Sequence, residues 1–186
     1  KKEVADSIVL KTMKKEASSI DSVENEYAGT QIQLSDEVRL WLAKIIYAES
    51  GICGLDEQIA VGKTILNRME KYNMTIYEVI TSKGQFSSVI NGEVYLITSS
   101  GNILVTEDII SDRSWEAVET VLSGEQTLVE KLLMDEAIRL GLDVQEYAEG
   151  GPMFFVNVDA VKNKEYYNSL TCKVKIGYQT FYKASY

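Results

Sequence analysis

The sequence predicts an α+β fold, helices with a small antiparallel sheet, and three observations carry that expectation. Five segments show helical periodicity with recognisable starts and stops. The strand signals are short and fall outside those segments. The 186 residues hold a single proline, Pro152, so no Pro-rich linker divides the chain. With 45% hydrophobic and 25% charged residues, the composition is that of one globular domain with a filled core.

The first helix runs from Ser35 to about Ser50. Ser35 is an N-cap candidate, Asp36 and Glu37 suit the positive end of the helix dipole, and Gly51 stops the helix. Its apolar stripe is Val38, Trp41, Leu42, Ile45 and Ile46. The second helix, Asp56 to about Tyr72, places Ile59, Val61, Ile65, Leu66 and Met69 inward. Thr75-Ile76-Tyr77-Glu78 is a capping-box pattern that opens a short third helix ending near Ser82. Asp112 to Ser123 forms the fourth, stopped by Gly124. Thr127-Leu128-Val129-Glu130 opens the fifth, which ends at Gly141 and docks by Leu128, Leu132, Ile138 and Leu142. Val94 to Ile97 and Ile103 to Val105 flank a Ser-Ser-Gly-Asn loop and read as a β-hairpin. Met153 to Val158, and Cys172 to Tyr182 with a break near Gly177, read as further strands.

Charge is distributed unevenly along the chain. Residues 1–33 carry five basic and six acidic groups around scattered apolar positions (Val4, Ile8, Val9, Leu10, Met13), the pattern of an exposed helical arm or linker ahead of a domain at 34–186. Leu34 to Val161 has 9 basic against 21 acidic groups, and Lys162 to Tyr186 has 5 against 1, so the basic tail is expected to fold back on the acidic body. The overall net charge of −9 disfavours nucleic acid and anionic membrane surfaces. The apolar run Leu40 to Tyr47 is broken by Lys44 and falls short of the roughly 20 residues a bilayer helix needs. The sequence opens at Lys1 without Met or a leader-like pattern, and reads as a mature or trimmed fragment.

The chain contains 0 histidines. Without imidazole there is no Ser-His-Asp or Cys-His nucleophile pair and no H-E-x-x-H zinc site, so chemistry falls to carboxylates, Lys, Tyr or hydroxyls. The two cysteines, Cys53 and Cys172, are either bridged across a long loop or free and buried.

Glu49 is the candidate catalytic residue. Stepping 38, 42, 45, 49 sets it on the apolar stripe of the first helix, in the last turn, where burial and the negative end of the dipole both disfavour an anion. Both raise a carboxyl pKa and keep a general acid protonated near neutrality. The competing reading is a helix-end Glu that swings to solvent past Gly51.

Three blocks in order resemble the catalytic domain of the spore cortex-lytic enzyme family of bacterial cell-wall hydrolases. They are Tyr47-Ala48-Glu49-Ser50-Gly51; Gln58-Ile59-Ala60-Val61-Gly62 with Ile65-Leu66-Asn67-Arg68; and Thr75 to Ile80 with Gly84-Gln85-Phe86-Ser87-Ser88-Val89. Trp115 to Val118 through Gly124, Met153-Phe154-Phe155-Val156-Asn157, and Ile176-Gly177 with Phe181-Tyr182 continue the likeness. The resemblance implies a lysozyme-like, lytic transglycosylase-like domain that cleaves peptidoglycan glycan strands outside the cytoplasm, in the wall or spore cortex, with no metal and no cofactor. It makes Glu49 the acid and sets Gln85, Phe86, Ser87, Tyr47, Phe155 and Asn157 along the substrate groove. Histidine-dependent zinc amidases and Cys-His endopeptidases are excluded by composition. A two-carboxylate hydrolase using Glu57, Glu93 or Asp108 stays open, as does a non-catalytic wall-binding module. For Phe86 the alternative is a core plug, and Asn67 and Arg68 are expected to tie the second helix to the Gln85 loop. Three features depart from the family pattern: the acidic helical insertion at about 127–149, the Val94 to Val105 hairpin, and Gln179 where the family usually has a histidine.

Overall fold

A computed structural model describes residues 34–142 and 151–183. The arm or linker expected at 1–33, and the end of the insertion beyond residue 142, lie outside the described residues. Among them the order is α1 (Asp36–Ser50), α2 (Leu55–Tyr72), α3 (Ile76–Thr81), β1 (Val89–Ile90), β2 (Glu93–Thr98), β3 (Gly101–Leu104), a 3-10 turn (Glu107–Ile109), α4 (Asp112–Leu122), α5 (Leu128–Arg139), β4 (Phe154–Val156), α6 (Lys164–Ser169), β5 (Lys173–Ile176) and β6 (Gln179–Tyr182). The α+β expectation holds.

α1, α2 and α4 pack together as the centre of the fold. Leu42, Ile45 and Ile46 of α1 meet Val61 and Ile65 of α2 and Val118 and Val121 of α4, all at or near zero exposure. Each such aliphatic side chain contributes about 1.5–3 kcal/mol by leaving water. Gly62 allows the close approach: a Cβ there would lie 2.8 Å from Ile46 Cδ1 and 3.1 Å from Val121 Cγ2. The caps behave as the sequence predicts. Ser35 accepts from Val38 N at 3.4 Å. Thr75 and Glu78 form a reciprocal box, Thr75 N to Glu78 Oε2 at 2.8 Å and Glu78 N to Thr75 Oγ1 at 3.2 Å.

Two small antiparallel sheets flank the helices, one ordered β1-β2-β3 and the other β4-β6-β5. The expected hairpin is β2–β3, in register Tyr95 with Leu104 through Thr98 with Gly101. A second hairpin precedes it. Asn91 and Gly92, at φ +51° and +81°, turn β1 into β2, the left-handed pair a two-residue loop needs. In the other sheet β6 is central, pairing Phe155 with Phe181 on one side and Val174 with Phe181 on the other.

α5 docks on α2 and β5, but the expected face is buried only in part: Leu132 is half-buried and Leu142, just past the helix, packs against the core. Val129, Leu133 and Ala137 are buried, whereas Leu128 and Ile138 are 42% and 57% exposed. Lys63 of α2 pairs with Glu130 of α5 at 3.0 Å across this contact. The basic tail does lie against the acidic body: Lys175 reaches Asp159 at 3.3 Å, and the Lys173 charge, after the Arg139 bonds, helps hold the Glu136 carboxyl below its ordinary value. Cys53 and Cys172 are both free and buried, which closes the disulfide question. α6, a short polar helix, was not expected from the sequence.

Candidate active site

The last turn of α1 brings Glu49 to the stretch that follows α3. Ser88 is buried and donates its hydroxyl to Glu49 Oε1, and the Ser88 backbone N–H donates to the same carboxyl. Ser88 is itself held as the chain enters the first sheet, its carbonyl accepting from Tyr95 N at 2.8 Å. Glu49 is half-buried. Burial pushes its pKa above the ordinary value of 4.5, and the two Ser88 bonds offset part of that rise. The carboxyl is oriented by donors and its pKa is shifted upward on balance, the direction a general acid needs.

The connection after Glu49 is pinned from several sides. Cys53 N bonds Ser50 O at 2.8 Å. Cys53 O accepts from Gln58 Nε2 at 3.1 Å and from Arg113 Nη1 at 3.2 Å, and Ser114 Oγ donates to Gln58 Oε1 at 2.7 Å. Tyr47 is half-buried, with its ring over Gly51, where a Cβ would stand 2.7 Å from ring Cδ2. Gly51 is therefore needed for close packing at the helix end.

The remaining groove candidates divide by exposure. Gln85 and Ser87 are exposed, and Arg68 donates to Gln85 Oε1, as expected of the tie between α2 and this loop. Asn67 instead donates to Pro152 O at 3.0 Å and anchors the approach to β4. Phe86 is only 6% exposed, with its ring centroid 6.0 Å from the Arg68 guanidinium carbon and 6.1 Å from Phe155. The ring packs beneath the loop, so the exposure expected of Phe86 as a groove residue is not met and its packing alternative fits the structure. Phe155 is half-buried between Phe86 and Phe181, the latter at 5.7 Å. Asn157 accepts from Asp159 N at 3.1 Å and closes a turn after β4.

Of the three candidate second carboxylates, Glu93 and Asp108 are exposed and Glu57 is 2% exposed. Glu57 accepts from Tyr178 N at 3.1 and 3.2 Å and from Gln179 N at 3.0 Å, and so caps the β5–β6 turn. Burial, then the Glu57 carboxylate, pushes the neighbouring Cys53 thiol up to about 12, so it is no nucleophile near neutrality. The sequence favours Ser87 of the pair and gives no local signal for Ser88; only the fold shows which one faces Glu49.

The α+β domain thus carries a donor-held, half-buried carboxyl at the end of its first helix. A family model described as Cell Wall Hydrolase matches residues 54–182, more than two thirds of the chain, and the chain belongs to that family. The match begins at Gly54, so Glu49 lies just ahead of it. Comparisons with curated proteins and with solved structures return no match. Family membership implies action on peptidoglycan and an extracytoplasmic place of work. Among the described residues no helix is long and apolar enough to cross a membrane.

Proposed function

We propose that the chain cleaves peptidoglycan glycan strands by lytic transglycosylation, on a lysozyme-like arrangement of helices and small sheets, with Glu49 as its single acid and base. The observation that carries this reading is the Glu49 carboxyl, raised by burial at the end of α1 and oriented by Ser88. In its protonated form Glu49 gives its proton to the glycosidic oxygen as that bond breaks. The resulting carboxylate takes the proton of the muramic acid 6-hydroxyl, whose oxygen closes the 1,6-anhydro ring. One carboxyl completes the cycle and no water enters the product.

The state of the other acids supports a single carboxyl. Both oxygens of Glu57 serve backbone donors, and Glu93 and Asp108 stand in solvent. On this reading residues 34–186 are the catalytic domain, 127–149 is a helical insertion, and Gln85, Ser87, Tyr47, Phe155 and Asn157 border the substrate. The place of work on this reading is the bacterial wall or spore cortex, and the departures at about 127–149, at the Val94 to Val105 hairpin and at Gln179 weaken the spore cortex in particular. Mass spectrometry of purified peptidoglycan after digestion is the test. 1,6-Anhydro ends support the proposal, new reducing ends replace it with hydrolysis, and unchanged glycan replaces it with a wall-binding module.

A further inference from the structure

The β5–β6 turn is held more firmly than a surface hairpin requires. Glu57, buried in the first turn of α2, takes the backbone N–H groups of both Tyr178 and Gln179. Gly177 sits at φ +59°, and a Cβ there would lie 1.9 Å from Glu57 Oε2, so the carboxylate fills the space a side chain would need. What this turn displays is Tyr178, 65% exposed, and Gln179, half-buried. Gln179 Oε1 is shut from solvent and meets no hydrogen-bond donor among the described residues. Glu57 begins α2 directly after the pinned 51–54 connection, and Cys53 N on Ser50 O ties that connection to the end of α1 bearing Glu49. The turn and the candidate acid therefore occupy the same end of the α1–α2 pair.

We infer that Tyr178 and Gln179 form a glycan-binding lip beside Glu49, an inference that rests on the reading of the chain as a glycan-cleaving enzyme. The Tyr178 ring offers its face to the C–H face of a saccharide of the wall polymer. The Gln179 amide takes a hydrogen bond from a sugar hydroxyl or acetamido N–H. A buried acceptor without a donor is costly until one arrives, and the terminal amide torsion is soft enough to turn Oε1 outward to meet it. Because the backbone lock leaves little freedom to lose, an exposed ring here binds at a lower entropy cost than one on a free loop.

The test uses the full chain and purified peptidoglycan sacculi, with binding read by co-sedimentation and cleavage by release of soluble fragments. Tyr178→Ala is expected to weaken binding and raise apparent KM by about tenfold, the scale of one aromatic contact, while kcat and melting temperature stay at the parent values. Tyr178→Phe is expected to bind like the parent, and Gln179→Ala to lose a few-fold. Parent-like binding by Tyr178→Ala, or a Tyr178→Phe variant as weak as Tyr178→Ala, overturns the lip. Repeating the binding series in a Glu49→Gln background separates the two ideas. Cleavage that survives Glu49→Gln overturns the catalytic assignment, while the binding curves still decide the lip.

Discussion

Glu49 and Glu57 flank residues 51–54, one ending α1 and the other opening α2, and they meet opposite conditions. Glu49 sits where the helix dipole is negative, is met by the hydroxyl and N–H of one serine, and has its pKa raised by burial. Glu57 sits where the dipole is positive and is met by two backbone N–H groups from a distant turn. Two carboxyls of the same residue type at one end of the molecule thus divide into a group poised to exchange a proton and a group committed to holding a turn. Burial does not separate them, since Glu57 is the more buried. The partners do: one serine at Glu49, and two backbone N–H groups of a distant turn at Glu57.

The largest effect that would break this contrast is on turnover. Glu49→Gln is expected to abolish glycan cleavage with the fold intact, because the amide is nearly isosteric and cannot donate and recover a proton. Retained cleavage would end the catalytic assignment. The same variant carries a stability signature. A carboxyl whose folded pKa is raised contributes stability below its unfolded value of about 4.5 that is lost as pH rises through the folded value. Relative to the parent, Glu49→Gln should therefore be neutral or stabilised at pH 7, with a flatter stability profile above the ordinary carboxylate range. Thermal melts from pH 4 to 8 check the sign, and a large drop at pH 7 would reverse it.

Phe86→Ala comes next. Emptying a site that is 6% exposed beneath the Ser88 loop should cost about 3–5 kcal/mol, read by urea unfolding. A loss below about 1 kcal/mol would return the ring to the groove surface, since exposed positions cost little.

Glu57→Ala mirrors Glu49→Gln. It leaves the Tyr178 and Gln179 N–H groups without their acceptor and should cost about 2–3 kcal/mol. The folded fraction should keep its kcat, with any loss falling on KM as the turn loosens. Loss of kcat in folded protein would make Glu57 part of the chemistry and dissolve the contrast.

Much of this was legible in the sequence where the signal is local. Ser35, the Thr75–Glu78 box and the stripe of α1 announce themselves within a few residues, and the stripe itself pointed to Glu49. The rest depends on tertiary partners. On α5 the bulky Leu128, Leu132 and Ile138 suggested one face, yet packing on α2 and β5 selected Val129, Leu133 and Ala137, the last too small to weigh in a hydrophobic pattern. The Asn91-Gly92 turn is a strong local signal whose leading strand, Val89–Ile90, is too short to register a period. α6 is polar and lacks a side-chain cap. Glu57 was open as a second carboxylate because nothing local shows that Tyr178 and Gln179, far along the chain, would reach it. In the sequence Gly177 marks only a break between strands, whereas the fold gives it a left-handed turn against a carboxylate.

The finest test of the comparison lies in the donors at Glu49. Ser88→Ala removes the hydroxyl and leaves the backbone N–H, so one of the two hydrogen bonds that lower the Glu49 pKa disappears while the burial that raises it remains. The folded pKa should move further up, and the acid should stay protonated to higher pH. The alkaline limb of kcat/KM, which reports the free enzyme's acid, should shift upward in step. At the optimum the rate should fall by about tenfold or less, the effect of losing one orienting hydrogen bond of about 1 kcal/mol. Ser87→Ala, at the exposed neighbour, should move neither the limb nor the melting temperature. A Ser88→Ala limb that stays in place would show that the hydroxyl does not tune the acid. A limb moving to lower pH would mean that the hydroxyl stabilises the protonated form, and Glu49 would then owe its raised pKa to its donor as well as to its place on the buried stripe.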